Sequence, residues 1–321
     1  MDVTLLVDQL QSEQGARFLH KRNRNIIVEV DENEEVPVKT NFIWVSLGQI
    51  KELLRYPNVV NMDSRTVISC IKFGSYSERS LKLLSAIKNM AGIESQKSDS
   101  FLYSVLSETN HLPDLQDIIQ WITSLKFKYE LEVTSIGISE MKHWSYDGNI
   151  ICHESGKYFD VIGARVEIGN REVVSWDQPM VRSAQEGLMG FIVKKINGIY
   201  HFLVQAKLES GNFDVIELAP TVQCLTGNYR KGKNEYTIPY LEQVLNAPEK
   251  NIWYSSYQSE EGGRFFQEQN LNIIVEVGDE FSIEIEENYC WMTLNQMLSF
   301  VTYNNYLNIA ARSLLSAISF Y

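Results

Sequence analysis

The chain has 321 residues, 44% hydrophobic and 22% charged, a globular composition with room for two domains of ordinary size. Its formal net charge of −12 argues against nucleic acid, which demands clustered Lys and Arg, and no run approaches the roughly 18 apolar residues of a membrane span. The opening MDVTLLVDQLQSEQ lacks the basic region of a secretory signal, so a cytoplasmic protein is expected. Cys70, Cys152, Cys224 and Cys290 show no CxxC spacing and read as free thiols of a reducing compartment. The histidines lack metal-ligand spacing; adjacent Cys152 and His153 would face opposite sides of a strand, and no metal is expected.

Taken in order, the chain first presents one half of an internal repeat. QSEQGARF, from Gln11 to Phe18, returns as QSEEGGRF from Gln258 to Phe265, and NIIVEV at Asn25 returns unchanged at Asn272, both at an offset of 247 (258 minus 11; 272 minus 25). Trp44 and Trp291, Gln49 and Gln296, Asn58 and Asn305, Asn61 and Asn308, and Arg65 and Arg312 keep that offset, which marks a duplicated unit. Each copy predicts a polar turn with Gly and Arg, then a buried strand (Ile26 to Val30; Ile273 to Val277). An amphipathic helix follows near Ser46 to Arg55 or Thr293 to Thr302, and then a second helical pattern at Val67, Ile68 and Ile71 or Leu314, Leu315 and Ile318. The recurring tryptophans are expected in the core. A Gly turn beside an Arg, as at Gly15 and Arg17 or Gly262, Gly263 and Arg264, can present backbone amides and a guanidinium to a phosphate. A structural turn with a surface Arg accounts for those residues equally well.

Residues 11–73 match 258–320, but nothing before residue 11 matches the strand-rich run of about 113–250. The expected division is therefore a trailing half-unit over 1–75, a helical connector over 76–112 and one whole unit over 113–321. Pro113 opens a helix with Leu115, Ile118, Ile119, Ile122 and Leu125 at helical spacing. Strands are predicted near Leu131 to Ile138, Asn149 to Ile151, Tyr158 to Ile168 and Gly190 to Ile196, with Asn197-Gly198 as a hairpin turn.

The next stretch, Tyr200 to Tyr240, carries the chemistry. Period-two alternation puts His201, Gln205, Lys207 and Glu209 on one strand face; Ser210-Gly211-Asn212 turns the chain, and a short strand follows through Val215, Ile216 and Leu218. Gln223, Asn228, Tyr229, Arg230, Lys231 and Lys233 follow in a polar, basic loop. A pocket for a small anionic ligand fits this pattern, and so does a solvated hairpin face.

LVQAKLESGN (Leu203 to Asn212), ELAPTVQ (Glu217 to Gln223), Asn228-Tyr229 and Pro239-Tyr240 form a set with Arg171-Glu172-Val173, Trp176, Gln178-Pro179 and Gly187. Together they resemble the signature of the nucleotide-sugar 2,3-dehydratases, which act on dTDP-4-keto-6-deoxyglucose. The resemblance implies an α/β (α+β) fold of tandem Nudix-like units, with mixed and antiparallel sheets and packed helices, the first unit here being incomplete. It implies a hydro-lyase that needs no cofactor, because the 4-keto group acidifies the hydrogen on sugar carbon 3 and the hydroxyl on carbon 2 then leaves with the help of an acid. On this reading Glu209 is the base or acid, Lys207 stabilises the enolate or a phosphate, and His201 is a secondary candidate base. Gln205 and Gln223 donate to the sugar or enolate, Trp176 stacks on base or sugar, and Tyr229, Arg230 and Arg264 meet the diphosphate. Gln178, Asn212 and Asn228 complete the substrate-binding set. A homodimer and a downstream ketoreductase are the expected partners. Two rival readings remain: a Nudix-type hydrolase, whose glutamate-rich REXXEE helix the sequence does not contain, and a truncated, non-catalytic nucleotide-sugar-binding or dimerisation remnant.

Overall fold

The computed structural model describes residues 3–72, 82, 104–105, 113–169, 172–225 and 237–318. Most of the expected connector, Arg171, and Asn228, Tyr229 and Arg230 lie outside the described residues.

The duplication read from the sequence recurs in the elements. In the first copy, β1 (Val3–Ser12) and β2 (Arg22–Val30) form an antiparallel hairpin, followed by α1 (Leu47–Leu53) and α2 (Met62–Ser69). In the second, β11 (Ile252–Ser259) pairs with β12 (Gln269–Val277), and α5 (Leu294–Val301) and α6 (Ile309–Ala317) follow. The bounds of β2 and β12 differ by 247 at both ends (269 minus 22; 277 minus 30). The helix starts recur because the same caps satisfy the free N–H groups of a first turn. Ser46 and Thr293 accept from the backbone N–H of Gln49 and Gln296, whose side chains accept in return. Asn61 and Asn308 cap α2 and α6, accepting from Ser64 and Ala311, each at 2.9 Å.

The copies bind each other reciprocally. Arg65 donates to the Ser259 carbonyl at 2.6 Å, and Arg312 donates to the Ser12 carbonyl, the same atom 247 positions earlier. Gln258 donates to the Leu54 carbonyl at 2.9 Å, while Gln11 donates to that of Val301 at 2.8 Å. Phe18 and Phe265, one position repeated, meet edge to face with centroids 5.6 Å apart.

Between the copies, α3 (Leu115–Lys128) starts at an Asp114 cap and buries Ile118, Ile122 and Leu125, residues that return to one face at helical period. An antiparallel four-stranded sheet follows: β3 (Trp144–Tyr146), β4 (Ile151–His153), β5 (Phe159–Glu167) and β6 (Ser175–Ser183). Then β7 (Gly187–Ile196) and β8 (Ile199–Lys207) form a hairpin whose Asn197 and Gly198 both take positive φ, 50° and 82°, as the Asn-Gly pair predicts. With β9 (Glu217–Ala219), β10 (Val222–Leu225), β13 (Tyr289–Thr293) and the β11–β12 pair, these two strands build a seven-stranded sheet, in which β12 runs parallel to β7 and the other strand pairs are antiparallel. The architecture is mixed α/β, with antiparallel and mixed sheets.

One sheet face packs Phe191, Val193, Phe202 and Val204 against α3, α5 and α6. The other packs Leu188, Ile192 and Leu203 against Trp291 and the short helix α4 (Leu241–Leu245). No helix of the described residues is long and apolar enough to cross a membrane. All four cysteines are free, with Cys70 and Cys290 buried.

Three expectations are corrected. The strand expected buried from Ile26 to Val30 forms, but Ile26 and Val28 are exposed, because β1 and β2 make a two-stranded sheet whereas β12 lies between β11 and β7. Trp291 is 5% exposed, but its repeat partner Trp44 is 69% exposed, because β13 lies against β8 whereas residues 42–45 form no strand and pair with none. The alternating run from Leu131 to Ile138 also forms no strand; Val133, Ile136 and Ile138 are exposed and find no sheet edge among the described residues. Alternation states a preference that pairing must complete.

Replacing fully buried Arg312 leaves the carbonyls of Ser12 and Leu307 without their donor and removes the cation beside Glu217. Arg312→Met is expected to lower unfolding free energy by about 3–5 kcal/mol, measured by urea denaturation, whereas exposed Arg55→Met changes it by under about 1 kcal/mol.

Candidate active site

The hairpin of β7 and β8 splays at its open end. The strands pair from Ile192 to Ile196 against Ile199 to Leu203; beyond that β7 takes β10 as its neighbour and β8 takes β9. A cavity of about 200 Å³ occupies the gap. Its walls are Gly187 to Met189 from β7, Lys207 and Glu209 from the end of β8, Gln223 and Cys224 from β10, and Glu268 and Asn270 at the start of β12. Tyr158 closes one side, and the turn of the first copy contributes Gln14, Ala16 and Arg17.

That turn is held by contacts too close for side chains. The Gly211 N–H donates to the Gly15 carbonyl at 2.7 Å, and the His20 N–H donates to the Gly211 carbonyl at 2.8 Å. A Cβ on Gly211 would lie 2.0 Å from the Phe18 carbonyl oxygen, and one on Gly15 would lie 2.2 Å from Asn212 Oδ1. Gly187 is held likewise: its N–H donates to Asn270 Oδ1 at 2.7 Å, and that oxygen occupies the place of a Cβ.

A relay fixes Glu209. Asn308 caps α6 with its oxygen and donates its amide N–H to Gln223 Oε1 at 2.7 Å, which turns the Gln223 amide nitrogen toward Glu209 Oε1 at 3.0 Å. Lys207 donates to the Gln223 carbonyl at 3.2 Å. Burial pushes the Glu209 carboxyl above its ordinary pKa, with Lys207, Arg17 and the Gln223 bond holding part of the rise back. Burial raises Glu268 as well, offset by Ser183 and Arg17. Two further buried acids flank the cavity. Glu260, which accepts from Asn270, is raised to about 7 by burial and by neighbouring Glu268. Glu217, which accepts from Ser12 Oγ at 2.6 Å, is raised to about 7 chiefly by burial. Arg17 interacts electrostatically with Glu268, Glu209 and Glu260 and lies 4.6 Å above the Phe159 ring.

Of the residues expected from the sequence, Lys207, Glu209 and Gln223 meet in this cavity. Asn212 packs behind Glu209 against Gly15 and does not line it, and Gln205 lies earlier on β8 between β13 and β9. His201 does not join them: six residues at about 3.3 Å each put it roughly 20 Å up the strand from Lys207, where Nδ1 meets the Ile199 carbonyl. Trp176, Gln178 and Arg264 gather at the second copy's turn. Trp176 donates to Gln178 Oε1, Gln178 donates to the Gly263 carbonyl, each at 2.6 Å, and Arg264 pairs with Glu13 and Glu261. Glu13, Asp63 and Glu261 could share a cation, a place Arg264 partly fills. Sequence reasoning did not single out Gln14, Tyr158, Glu268 or Asn270. Period-two reading follows one strand, and these residues come from three other segments.

The family model for NDP-hexose 2,3-dehydratase matches residues 2–71 and 115–318. The chain belongs to this family. It is 40% identical over 318 residues to a dTDP-4-dehydro-6-deoxy-alpha-D-glucopyranose 2,3-dehydratase of Saccharopolyspora spinosa, covering 98% of this chain and 62% of that protein. Proteins of the same name from Streptomyces violaceoruber and Amycolatopsis orientalis are 38% and 35% identical, covering 97% and 98% of this chain and 64% and 59% of theirs. The chain thus spans about three fifths of the length of the curated relatives it matches. Among solved structures, a C. elegans Ap4A hydrolase aligns over 37% of this chain and 87% of its own at 13% identity, with a TM-score of 0.23, too low to fix anything about the fold.

Two predictions follow from this geometry. Glu217 and Glu260 have folded pKa values raised to about 7 from 4.5, so their contribution to stability is full below about 4.5 and is lost as pH rises through about 7. The urea midpoint is expected to fall between pH 5 and pH 8, and Glu260→Gln to flatten that slope. Gly211→Ala is expected to lower the midpoint strongly, because its Cβ meets backbone that cannot rotate away.

Proposed function

We propose that the chain removes water across carbons 2 and 3 of a dTDP-linked 4-keto-6-deoxy hexose, giving a 3,4-diketo-2,6-dideoxy sugar nucleotide. The observation that carries this is the meeting of Lys207, Glu209 and Gln223, drawn from two separate motif stretches, in one cavity. The family match and the names of the relatives support it. At about 200 Å³ the cavity is smaller than the roughly 300–1,000 Å³ of sites for drug-sized ligands. It suits the sugar ring, with the nucleoside diphosphate extending outward.

In this reading the ketone is the electron sink. Lys207 and Arg17 place positive charge where the enolate oxygen or the near phosphate lies, inside a site whose donors need no reorganisation. Glu209, whose carboxyl is raised by burial and held by Gln223, delivers a proton to the departing carbon-2 hydroxyl. Arg230, Tyr229 and Asn228 remain proposed diphosphate and sugar contacts; Trp176, Gln178 and Arg264 would act from the second turn. We also read residues 1–75 and 113–321 as parts of tandem Nudix-like units joined by a connector over 76–112, a division with which the family match accords by skipping 72–114. A cytoplasmic homodimer, handing its labile diketone to a ketoreductase, completes the proposal.

The test is incubation of the purified chain with dTDP-4-keto-6-deoxyglucose, with a ketoreductase to trap the product. Turnover is expected, and Lys207→Met should lower kcat by about 10²–10³-fold, the usual loss for one donor to a developing oxyanion. Tight dTDP binding without product would overturn the catalytic reading.

A further inference from the structure

An elimination needs two proton carriers, one to take the proton from carbon 3 and one to give a proton to the leaving hydroxyl. The described lining of the cavity contains two carboxyl side chains, Glu209 and Glu268, and Arg17, whose charge acts on both. They differ in enclosure, and the more enclosed carboxyl is the better placed to hold a proton. Glu209 is 8% exposed, accepts from Gln223 at 3.0 Å and is packed under Gly15. Glu268 is less enclosed, with Ser183 and Arg17 holding back part of the rise that its burial causes. Cys224, also in the lining, is pushed up to about 12 by burial and stays a thiol.

The repeat adds a second line of argument. Position 268 corresponds to Lys21 in the first copy (268 minus 247), so the shared strand start does not itself require a carboxylate there. The backbone around it is nonetheless held, with the Glu260 N–H donating to the Glu268 carbonyl at 3.0 Å and β12 registering Gln269 against Ser259. The second copy therefore places a carboxylate on a fixed backbone, in a cavity that Arg17 of the first copy also lines.

We propose that Glu268 is the base that removes the carbon-3 proton, opposite Glu209 as the acid at carbon 2; this rests on the dehydratase reading. The Glu268 carboxylate takes the proton, and the C3–H electron pair forms the C3=C4 enolate. The enolate then collapses to a C2=C3 double bond as the C2–O bond breaks, and the Glu209 carboxyl protonates the leaving hydroxyl to give water. The resulting 3-hydroxy enol tautomerises: carbon 2 takes the proton held by Glu268, and the 3-hydroxyl returns one to Glu209. Both side chains end as they began. No redox change occurs, and the net loss is one water.

The test uses the full chain in deuterated buffer with dTDP-4-keto-6-deoxyglucose, following deuterium at carbon 3 of recovered substrate by mass spectrometry and product by reductase trapping. Glu209→Gln is expected to keep exchanging the carbon-3 hydrogen while elimination falls. Glu268→Gln is expected to lose both by about 10²–10⁴-fold while still binding dTDP. Glu268→Asp, which keeps the carboxylate but draws it back, should exchange at least about tenfold more slowly than wild type. Exchange at the wild-type rate in either Glu268 variant would overturn the assignment while leaving the dehydratase reading intact. A wild-type chain that neither exchanges nor eliminates would defeat that reading and this assignment together.

Discussion

The reciprocal exchange of buried guanidinium groups is the constraint on which the molecule depends. Arg65 and Arg312 are each 1% exposed, and each donates to a backbone carbonyl of its own copy and to the equivalent carbonyl of the other. An arginine cannot shed its charge when buried, so its donors must find acceptors in fixed positions. Those acceptors, at Ser12 and Ser259, end the strands that run into the two turns. Fixing them fixes where the turns emerge, and one turn forms a wall of the cavity.

The site is accordingly a composite. Helix α6, through its cap Asn308, sets the Gln223 amide; Gln223 sets Glu209; the Gly15 turn closes over Glu209 and brings Arg17 with it. Each link is a hydrogen bond or a close approach between segments far apart in sequence. Such a site is preorganised by the same contacts that hold the two copies together. Its buried acids cost stability near neutral pH, as functional sites commonly do.

Much of this was legible in the sequence where a repeated pattern carried it. The offset of 247 gave the second strands and both helix pairs, because capping residues and core spacing are local physics written twice. The Asn197-Gly198 turn was legible for the same reason. The motif stretches brought Lys207, Glu209 and Gln223 forward as a set. Pairing was not legible: Trp44 and Trp291 occupy one position of the repeat, yet a strand neighbour buries one and not the other. Period-two reading put His201 on the face of Lys207, but the six-residue separation, roughly 20 Å along a strand, already argued against a shared pocket. Glu268 and Tyr158 were missed because nothing local distinguishes a carboxylate or a tyrosine that reaches a cavity from one that meets water.

Phe18 and Phe265 occupy the point where the repeat meets itself, at an interplanar angle of 79°. In an edge-to-face pair one ring offers its rim and the other its face, so two identical residues there cannot be equivalent. The approximate twofold relation is therefore broken at its own axis. Arg264 lies over the Phe18 ring at 5.1 Å, whereas Arg17 lies over Phe159 and lines the cavity. Two similar turns thus sit in unequal environments, and the chain does not hold two interchangeable halves.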